Sequence, residues 1–230
     1  MELVFLIYFW SLFSQHANNS LGVTGFASYF LIASGINELV MAQWGKFGAG
    51  LGDAIRTGAI NNYLIKPLSI LPAIYFTAVG KNGINKLLAV ITILIGLIIQ
   101  PPQSMLAVLL FTIFFINAVL IAYAVNIIDG TIFFHSADAK GIRSASNHII
   151  GIFSGILIPI SLFPDYIRWI VELTPFPWMV FGPVNALKIT ALTEDVLMDI
   201  GIVFFWSIAL NIIAYLFWSW SIKKYEAIGI

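Results

Sequence analysis

The sequence predicts an all-α polytopic membrane protein with about six transmembrane helices. Hydrophobic residues make up 60% of the 230 residues, and charged residues only 10%. The apolar residues come in runs that are too long for alternating strands or for helices with one buried face, and such runs are typical of membrane spans. The alternating ten-residue segments of a transmembrane β-barrel are absent from the sequence. We therefore expect residues 1–230 to form one membrane domain, without a separate globular domain.

The predicted spans end at residues that commonly stop a membrane helix. In order along the chain, they are residues 2–14, 24–43, 84–99, 105–128, 145–163 and 200–222. Trp44 closes the second span at the membrane interface, Pro101 and Pro102 separate the third from the fourth, and Trp218 and Trp220 close the sixth. The first run is shorter than the roughly 20 residues that cross a bilayer. We therefore expect a truncated first span or a helix that is only partly embedded.

Residues 164–188 are rich in proline and aromatic side chains. The pieces between the prolines, 167–173 and 178–187, are too short to cross a bilayer. Irregular backbone at membrane depth is found where it is buried in protein or lines a cavity. We predict two short half-helices that lie in, or dip into, one membrane interface.

A long polar passage separates the second and third spans, and residues 52–68 within it have the pattern of an amphipathic helix. The side chains that would share its apolar face are Ile55, Ala59, Ile60, Tyr63 and Leu64. Arg56 points elsewhere on such a helix. Pro67 ends it, because proline lacks the amide that a helix interior needs. We therefore expect a short amphipathic helix on one side of the membrane.

The basic residues indicate which side that is. With six spans, one side of the membrane holds nine Lys and Arg residues, namely Lys46, Arg56, Lys66, Lys81, Lys86, Lys140, Arg143, Lys223 and Lys224. The other side holds two, Arg168 and Lys188. Because cytoplasmic loops of membrane proteins carry an excess of Lys and Arg, we expect residues 52–68 and the C-terminus to be cytoplasmic. The two half-helices would then be outside.

The sequence lacks the motifs that are typical of several function classes. The glycine-dense stretch 45–52 does not form a nucleotide-binding motif: no Gly-Lys-Ser/Thr follows it, and Asp53 stands where the third glycine of GxGxxG would be. We interpret this stretch as a flexible membrane exit. His16, His135 and His148 form no metal-binding spacing. The formal net charge of zero gives no electrostatic reason to expect nucleic acid as a partner. We expect no nucleotide or metal site in the chain itself.

Polar residues at membrane depth are the stronger functional candidates. Glu38 lies a few residues inside the second span, where a carboxylate is costly unless it is paired, hydrated or protonated. It is either a gate, a tether to the cytoplasmic helix through Lys46 or Arg56, or a side chain that reaches back to the interface. Three asparagines are also predicted inside spans, namely Asn117, Asn126 and Asn211. Each would bond across helices or line a transport pathway.

The fifth predicted span contains Gly151 and Gly155 in a GxxxG spacing. On a membrane helix this spacing lets a neighbouring helix approach closely. We expect the two glycines to form a packing contact within the bundle or between subunits.

Two other functions remain open at this point. A membrane-embedded enzyme acting on lipid could use Glu38, Asp129 or His148 as acid or base, although these residues share no motif spacing. A substrate-binding component of an ATP-driven importer would bind a small solute without its energising partner.

Two passages of the chain resemble the ABC-2-type permeases, which are compact six-span membrane subunits of bacterial ATP-driven exporters. Residues 56–68, RTGAINNYLIKPL, are similar to that family's cytoplasmic segment between its second and third spans. Residues 155–164, GILIPISLFP, followed by Pro175, Phe176 and Gly182-Pro183, resemble its proline pattern around the outer half-helices. The family normally begins with an amphipathic helix and a full first span, whereas only the end of that span is expected here.

The resemblance implies a permease in the bacterial cytoplasmic membrane that exports a substrate and has no enzymatic activity of its own. A separate cytoplasmic ABC ATPase would bind ATP and magnesium, and a second permease copy or paralogue would complete a dimer in the lipid bilayer. The residues implied in ATPase coupling are Ile55, Arg56, Gly58, Ile60, Tyr63, Leu64, Lys66 and Pro67. Those implied in an outer lid over the exit are Pro159, Pro164, Pro175, Phe176 and Pro183. Substrates of the broader family include drugs, lipids, glycans and peptides.

Overall fold

The computed structural model describes residues 2–16, 23–65, 69–81, 83–136 and 139–224, and all regular elements in these ranges are helical. The α-helices are α1 Glu2–His16, α2 Val23–Asn37, α3 Gln43–Arg56, α4 Asn61–Leu64, α5 Ile70–Gly80, α6 Gly83–Ile99, α7 Met105–Thr131, α8 Ala139–Phe153, α9 Asp165–Glu172, α10 Phe181–Ala186 and α11 Glu194–Lys223. A π-helical turn, Glu38–Ala42, and three 3₁₀ turns, Ile132–Phe134, Ile160–Leu162 and Pro177–Met179, join some of them. The all-α class is confirmed.

Three described helical stretches are long and apolar enough to cross a bilayer: Val23–Val40, Met105–Phe134 and Glu194–Lys223. Helices α5 and α6, which meet at a bend of 71°, add a fourth if the pair is one span. Helices α1 and α8 have 15 residues each, fewer than a bilayer crossing needs. The structure therefore shows three or four candidate spans, and the count of six stays a prediction.

The glycine-dense stretch after the second span is helical, so its interpretation as a flexible exit is wrong. The π-helical turn connects α2 to α3, and the helical path runs from Val23 to Arg56 instead of ending near residue 43. Glycine costs about 1 kcal/mol relative to alanine inside a helix. Helix α3 tolerates its glycines because two of them face another helix at very short range.

That helix is α7, and the two backbones approach through small residues. A Cβ atom added at Gly48 would lie 2.8 Å from Asn126 Oδ1 and 3.0 Å from the backbone oxygen of Asn126. A Cβ added at Gly52 would lie 2.5 Å from the ring of Phe133. From the other side, a Cβ at Gly130 would lie 2.7 Å from the side chain of Leu51. Helices α3 and α7 therefore pack as closely as glycine allows.

Helices α2 and α6 form a second close pair. A Cβ added at Gly35 of α2 would lie 2.6 Å from the backbone oxygen of Ala89, and one at Gly96 of α6 would lie 3.2 Å from that of Ser28. The short distance lets Ser28 Oγ donate a hydrogen bond to Gly96 O at 3.0 Å. Small residues thus bring hydrogen-bonding groups of neighbouring membrane helices together.

Helix α7 is the central element of the fold. It packs along α11 and also contacts α3, α10 and the 3₁₀ turn Pro177–Met179. Phe114 and Ile121 of α7 are almost completely buried. The break at Pro101 and Pro102 precedes α7, and Ser104 caps its first turn by accepting a hydrogen bond from Ala107 N at 2.9 Å. The chain thus reaches α7 through a sharp turn, as the two prolines predict.

The predicted fifth span, 145–163, is not one helix. Helix α8 begins at Ala139 and ends at Phe153, because Gly155 adopts a φ of +88°, which ends the helical path. Gly151 lies inside α8 and Gly155 outside it, so the two glycines do not form a helix face and the GxxxG prediction is wrong. Gly155 is still closely packed, since an added Cβ would lie 2.8 Å from the hydroxyl of Tyr29.

We predict that Gly48→Ala destabilises the protein by about 1–3 kcal/mol, because the added methyl group meets the backbone of α7. The midpoint of thermal unfolding in detergent measures this. Gly201→Ala is the matched control, since Gly201 lies in α11 with open space around its Cβ position. There the same change should be neutral or slightly stabilising through helix propensity. Equal midpoints for the two variants would contradict the α3–α7 contact.

Candidate functional site

The segment predicted as one amphipathic helix over 52–68 is broken into two pieces. Helix α3 ends at Arg56, and α4 covers only Asn61–Leu64. Gly58 lies between them with a φ of +74°, a conformation that favours glycine and ends α3. The backbone amide of Ile60 donates to Ala54 O at 3.0 Å, which folds the turn back onto α3. Lys66 and Pro67 lie outside the described residues.

This turn divides the predicted apolar face into a buried and an exposed part. Ile60 is completely buried, and Ile55 is only 4% exposed. They belong to the core of this chain and are not accessible to a partner in this conformation, so their part in ATPase coupling stays a prediction. Leu64 and Ile65, by contrast, are 49% and 83% exposed. Tyr63 is half-buried between these two groups.

The exposed side chains of this region form what we call the α3–α4 surface. Its members are Asp53, Arg56, Thr57, Asn62, Leu64 and Ile65. Arg56 Nη2 lies 3.7 Å from Asp53 Oδ1, one helical turn away. Thr57 Oγ1 donates to Asp53 O at 2.7 Å. The surface is therefore a polar helix end next to two exposed aliphatic side chains.

The asparagines predicted inside the spans contact neighbouring helices or their own backbone. Asn117 is buried in α7, and its Oδ1 accepts a hydrogen bond from Ser207 Oγ of α11 at 2.7 Å. Asn211 of α11 donates from Nδ2 to Leu120 O of α7 at 3.0 Å. Asn126 donates to Ala122 O on its own helix at 2.9 Å and faces Gly48 of α3. Asn117 and Asn211 therefore hold α7 and α11 together.

Glu38 begins the π-helical turn after α2 and is half-buried. Arg56, which was one of its predicted partners, pairs with Asp53 instead. The position of Glu38 coincides with the irregular turn that lets α2 continue into α3. Irregular π-helical turns inside α-helices are frequent at functional sites.

The two other residues considered for lipid chemistry are engaged separately. Asp129 of α7 is buried, and Arg143 and Ser146 of α8 lie near its carboxylate. His148 Nδ1 lies 2.6 Å from Ser144 O on its own helix. Within the described ranges, no group of three His, Asp or Glu side chains is placed to hold a metal ion.

We call residues 154–189 the proline segment, since it contains all five residues predicted for the outer lid. Pro164 and Pro183 stand where proline is favourable, directly before α9 and in the first turn of α10. Pro159 and Pro175 are buried between short elements, and Phe176 is half-buried. The prolines thus limit α9 and α10 to 8 and 6 residues. Whether this segment lies outside is a prediction.

Side chains of other helices satisfy backbone carbonyl groups along the proline segment. The Tyr29 hydroxyl of α2 donates to Gly155 O at 2.7 Å, and Trp10 Nε1 of α1 donates to Leu157 O at 3.0 Å. Trp206 Nε1 of α11 donates to Leu173 O at 2.8 Å. Sequence reasoning missed these residues because an isolated tyrosine or tryptophan in an apolar run predicts only burial. The hydrogen bonds fix the segment to α1, α2 and α11.

The proline segment also contains Lys188, which follows α10. Burial lowers the pKa of the Lys188 ammonium group. Desolvation has this effect because it disfavours the charged form of a base. Lys188 lies next to Tyr29 and Asn185 around a small cavity of about 60 Å³.

A larger cavity of about 340 Å³ lies between α7, α9, α10 and the beginning of α11. We call it the aromatic cavity. Its aromatic lining residues are Phe114, Trp169, Trp178 and Phe181. Its charged lining residues are Arg168, Glu172, Asp195 and Asp199. These residues are far apart in sequence, and no pattern in the chain predicts that they meet.

We predict that Ser207→Ala destabilises the α7–α11 pair by about 0.5–2 kcal/mol, the range for hydrogen bonds between membrane helices. Thermal unfolding in detergent measures the change. Thr112→Ala serves as the control, since Thr112 is exposed on α7 and its hydroxyl bonds only to Val108 O of its own helix. A Ser207 variant as stable as the control would show that the bond to Asn117 contributes nothing.

Comparison with protein families supplies the identity of the chain. The family model described as ABC-2 family transporter protein matches residues 2–229. A search of curated proteins returned no match. The match covers nearly the whole chain, and it agrees with the apolar helices of the fold. The chain is therefore a multi-pass membrane protein that belongs to the ABC-2 family of transporters.

Proposed function

We propose that this chain is the export permease of an ATP-binding-cassette transporter and that the α3–α4 surface is its contact with the ATPase. Membership of the ABC-2 family makes it a transporter membrane subunit and implies an ABC ATPase as partner. ATP and magnesium would be bound by that ATPase. We place the chain in a bacterial cytoplasmic membrane, with the C-terminus and the α3–α4 surface in the cytoplasm.

The observation that carries this proposal is the position of two regions at opposite ends of α7. The α3 glycines contact Asn126 near the end of α7 and Phe133 in the 3₁₀ turn that follows it. The proline segment contacts α7 near its beginning, where the rings of Phe114 and Trp178 stack with centroids 5.7 Å apart. Twelve residues of helix separate Phe114 from Asn126, roughly 18 Å along the axis. A displacement of the α3–α4 surface is thereby linked to the proline segment through one rigid helix.

The contact itself is supported by the exposed aliphatic side chains of the α3–α4 surface. An aliphatic side chain such as Ile65 in water forgoes about 1.5–3 kcal/mol of burial free energy. A groove on a partner protein would recover it, and Arg56, Asp53 and Thr57 around it would form the polar rim. Ile55 and Ile60 have a different role in this proposal, because they fix the turn to the core of the permease.

A second permease subunit, identical or paralogous, is the other partner that we propose. Helix α8 leaves three large aliphatic side chains 40–48% exposed, namely Ile142, Ile149 and Ile152. Asn147 and His148, on the same helix, are also exposed. Lipid would cover the aliphatic groups but would offer no hydrogen-bonding partner to the Asn147 amide or to the second ring nitrogen of His148, whose Nδ1 already contacts Ser144 O. A protein partner beside α8 offers both kinds of contact.

We predict that Ile65→Asp weakens ATPase binding by about tenfold or more, because it places a charge where the proposed interface would bury an aliphatic side chain. The measurement is the amount of co-expressed cognate ATPase that copurifies with the permease, together with the ATP hydrolysis rate of the complex. The permease itself should keep its level in the membrane, because Ile65 is 83% exposed in the isolated chain.

Asn62→Asp is the matched control for this substitution. Asn62 is exposed on the same short segment, and its change adds an equal charge without removing an aliphatic side chain. Because the polar rim of an interface contributes little to affinity, we expect Asn62→Asp to reduce ATPase copurification much less than Ile65→Asp does. If Ile65→Asp also leaves copurification and ATP hydrolysis unchanged, the assignment of the α3–α4 surface is wrong.

A further inference from the structure

We propose that the aromatic cavity binds a small organic cation, such as an amine or a quaternary ammonium group. A volume of about 340 Å³ is in the range of small-molecule sites. The cavity lies within one subunit, between α7, α9, α10 and α11, so it does not require a second copy or an ATPase. The inference goes beyond the proposed function and stands on three features of the cavity.

The first feature is its charge. Three carboxylates, Glu172, Asp195 and Asp199, line the cavity together with one guanidinium, Arg168. Arg168 Nε donates to Glu172 Oε1 at 2.9 Å, so this cation is already bound by one carboxylate of its own helix. Two further carboxylates face the same space. The cavity is therefore electrostatically complementary to an additional positive charge.

The second feature is the place of Asp199, which helix formation does not explain. Glu194 and Asp195 lie in the first turn of α11, where a carboxylate stabilises the helix dipole. Asp199 lies one turn later and is half-buried. Its partly buried carboxylate lines the same cavity as those of Glu172 and Asp195, so three like charges share this space. A bound cation would relieve the repulsion between these three acidic side chains.

The third feature is the aromatic wall. Trp178 is 3% exposed, stacks on Phe114, and donates from Nε1 to Glu172 O at 3.0 Å, so its ring is held in place. Trp169 also lines the cavity and is 59% exposed. Aromatic faces attract organic cations, because the ring quadrupole is negative above the plane. In the described part of the chain these carboxylates do not converge as metal ligands, which favours an organic cation over a metal ion.

The test is binding of radiolabelled choline to the full chain, purified in detergent without ATPase. We expect saturable binding that Asp199→Asn weakens at least about tenfold, since it removes a charge next to the ligand. Glu194→Gln is the matched control: it removes a carboxylate from the same helix, outside the cavity lining, and should leave the affinity unchanged. Trp169→Leu, at a largely exposed position, should weaken binding without disturbing the fold.

Four outcomes would overturn the proposal. The first is the absence of saturable choline binding, and the second is equal choline affinity of the wild type and a correctly folded Asp199→Asn variant. The third is that the uncharged isostere 3,3-dimethylbutan-1-ol competes as strongly as unlabelled choline does. The fourth is that calcium displaces choline at lower concentrations than unlabelled choline does. Loss of ATPase binding in the Ile65→Asp variant is measured separately. The two proposals can therefore fail independently.

Discussion

The fold depends on satisfying the backbone of the proline segment, much of which is buried in the protein. Five prolines and Gly155 interrupt the chain between α8 and α11, and each interruption leaves carbonyl groups without helical partners. The structure supplies donors from other helices, among them the hydroxyl of Tyr29 and the indole groups of Trp10 and Trp206. Because each donor comes from a different helix, satisfying the backbone also determines where α1, α2 and α11 meet the segment.

A related constraint governs the contacts between the long helices. Burial of apolar groups drives helix association only weakly inside a bilayer, so helices there associate through close packing and hydrogen bonds. The α3–α7 pair uses the first means, with Gly48 and Gly52 against α7. The α7–α11 pair uses the second, with Asn117 bonded to Ser207. Helix α7 takes part in both, and for this reason the proposed ATPase contact and the proline segment share one rigid support.

Composition and proline positions were sufficient to predict the all-α membrane class and the presence of short elements in residues 164–188. They could not predict the path after the second span. A run of glycines has the same local conformational preference whether it forms a flexible exit or a packed helix. Here it is helical because it packs against α7, which is distant in sequence. The single helix over 52–68 was also wrong for a physical reason: the periodic pattern assumes a continuous helix, and the left-handed conformation of Gly58 turns the chain so that Ile60 packs into the core.

The aromatic cavity shows the same limit for charged residues. Asp195 lies in the first turn of α11, where a negative charge is expected, whereas Asp199 lies one turn later and lacks this explanation. Glu172 and Arg168 have the i, i+4 spacing of an ordinary helical ion pair. Three of these four residues therefore have a local explanation, and a single further carboxylate does not predict a site. Only the packing of α9 beside the beginning of α11 brings Glu172, Asp195 and Asp199 to one cavity, and the mutual repulsion of these carboxylates is what a bound cation would relieve.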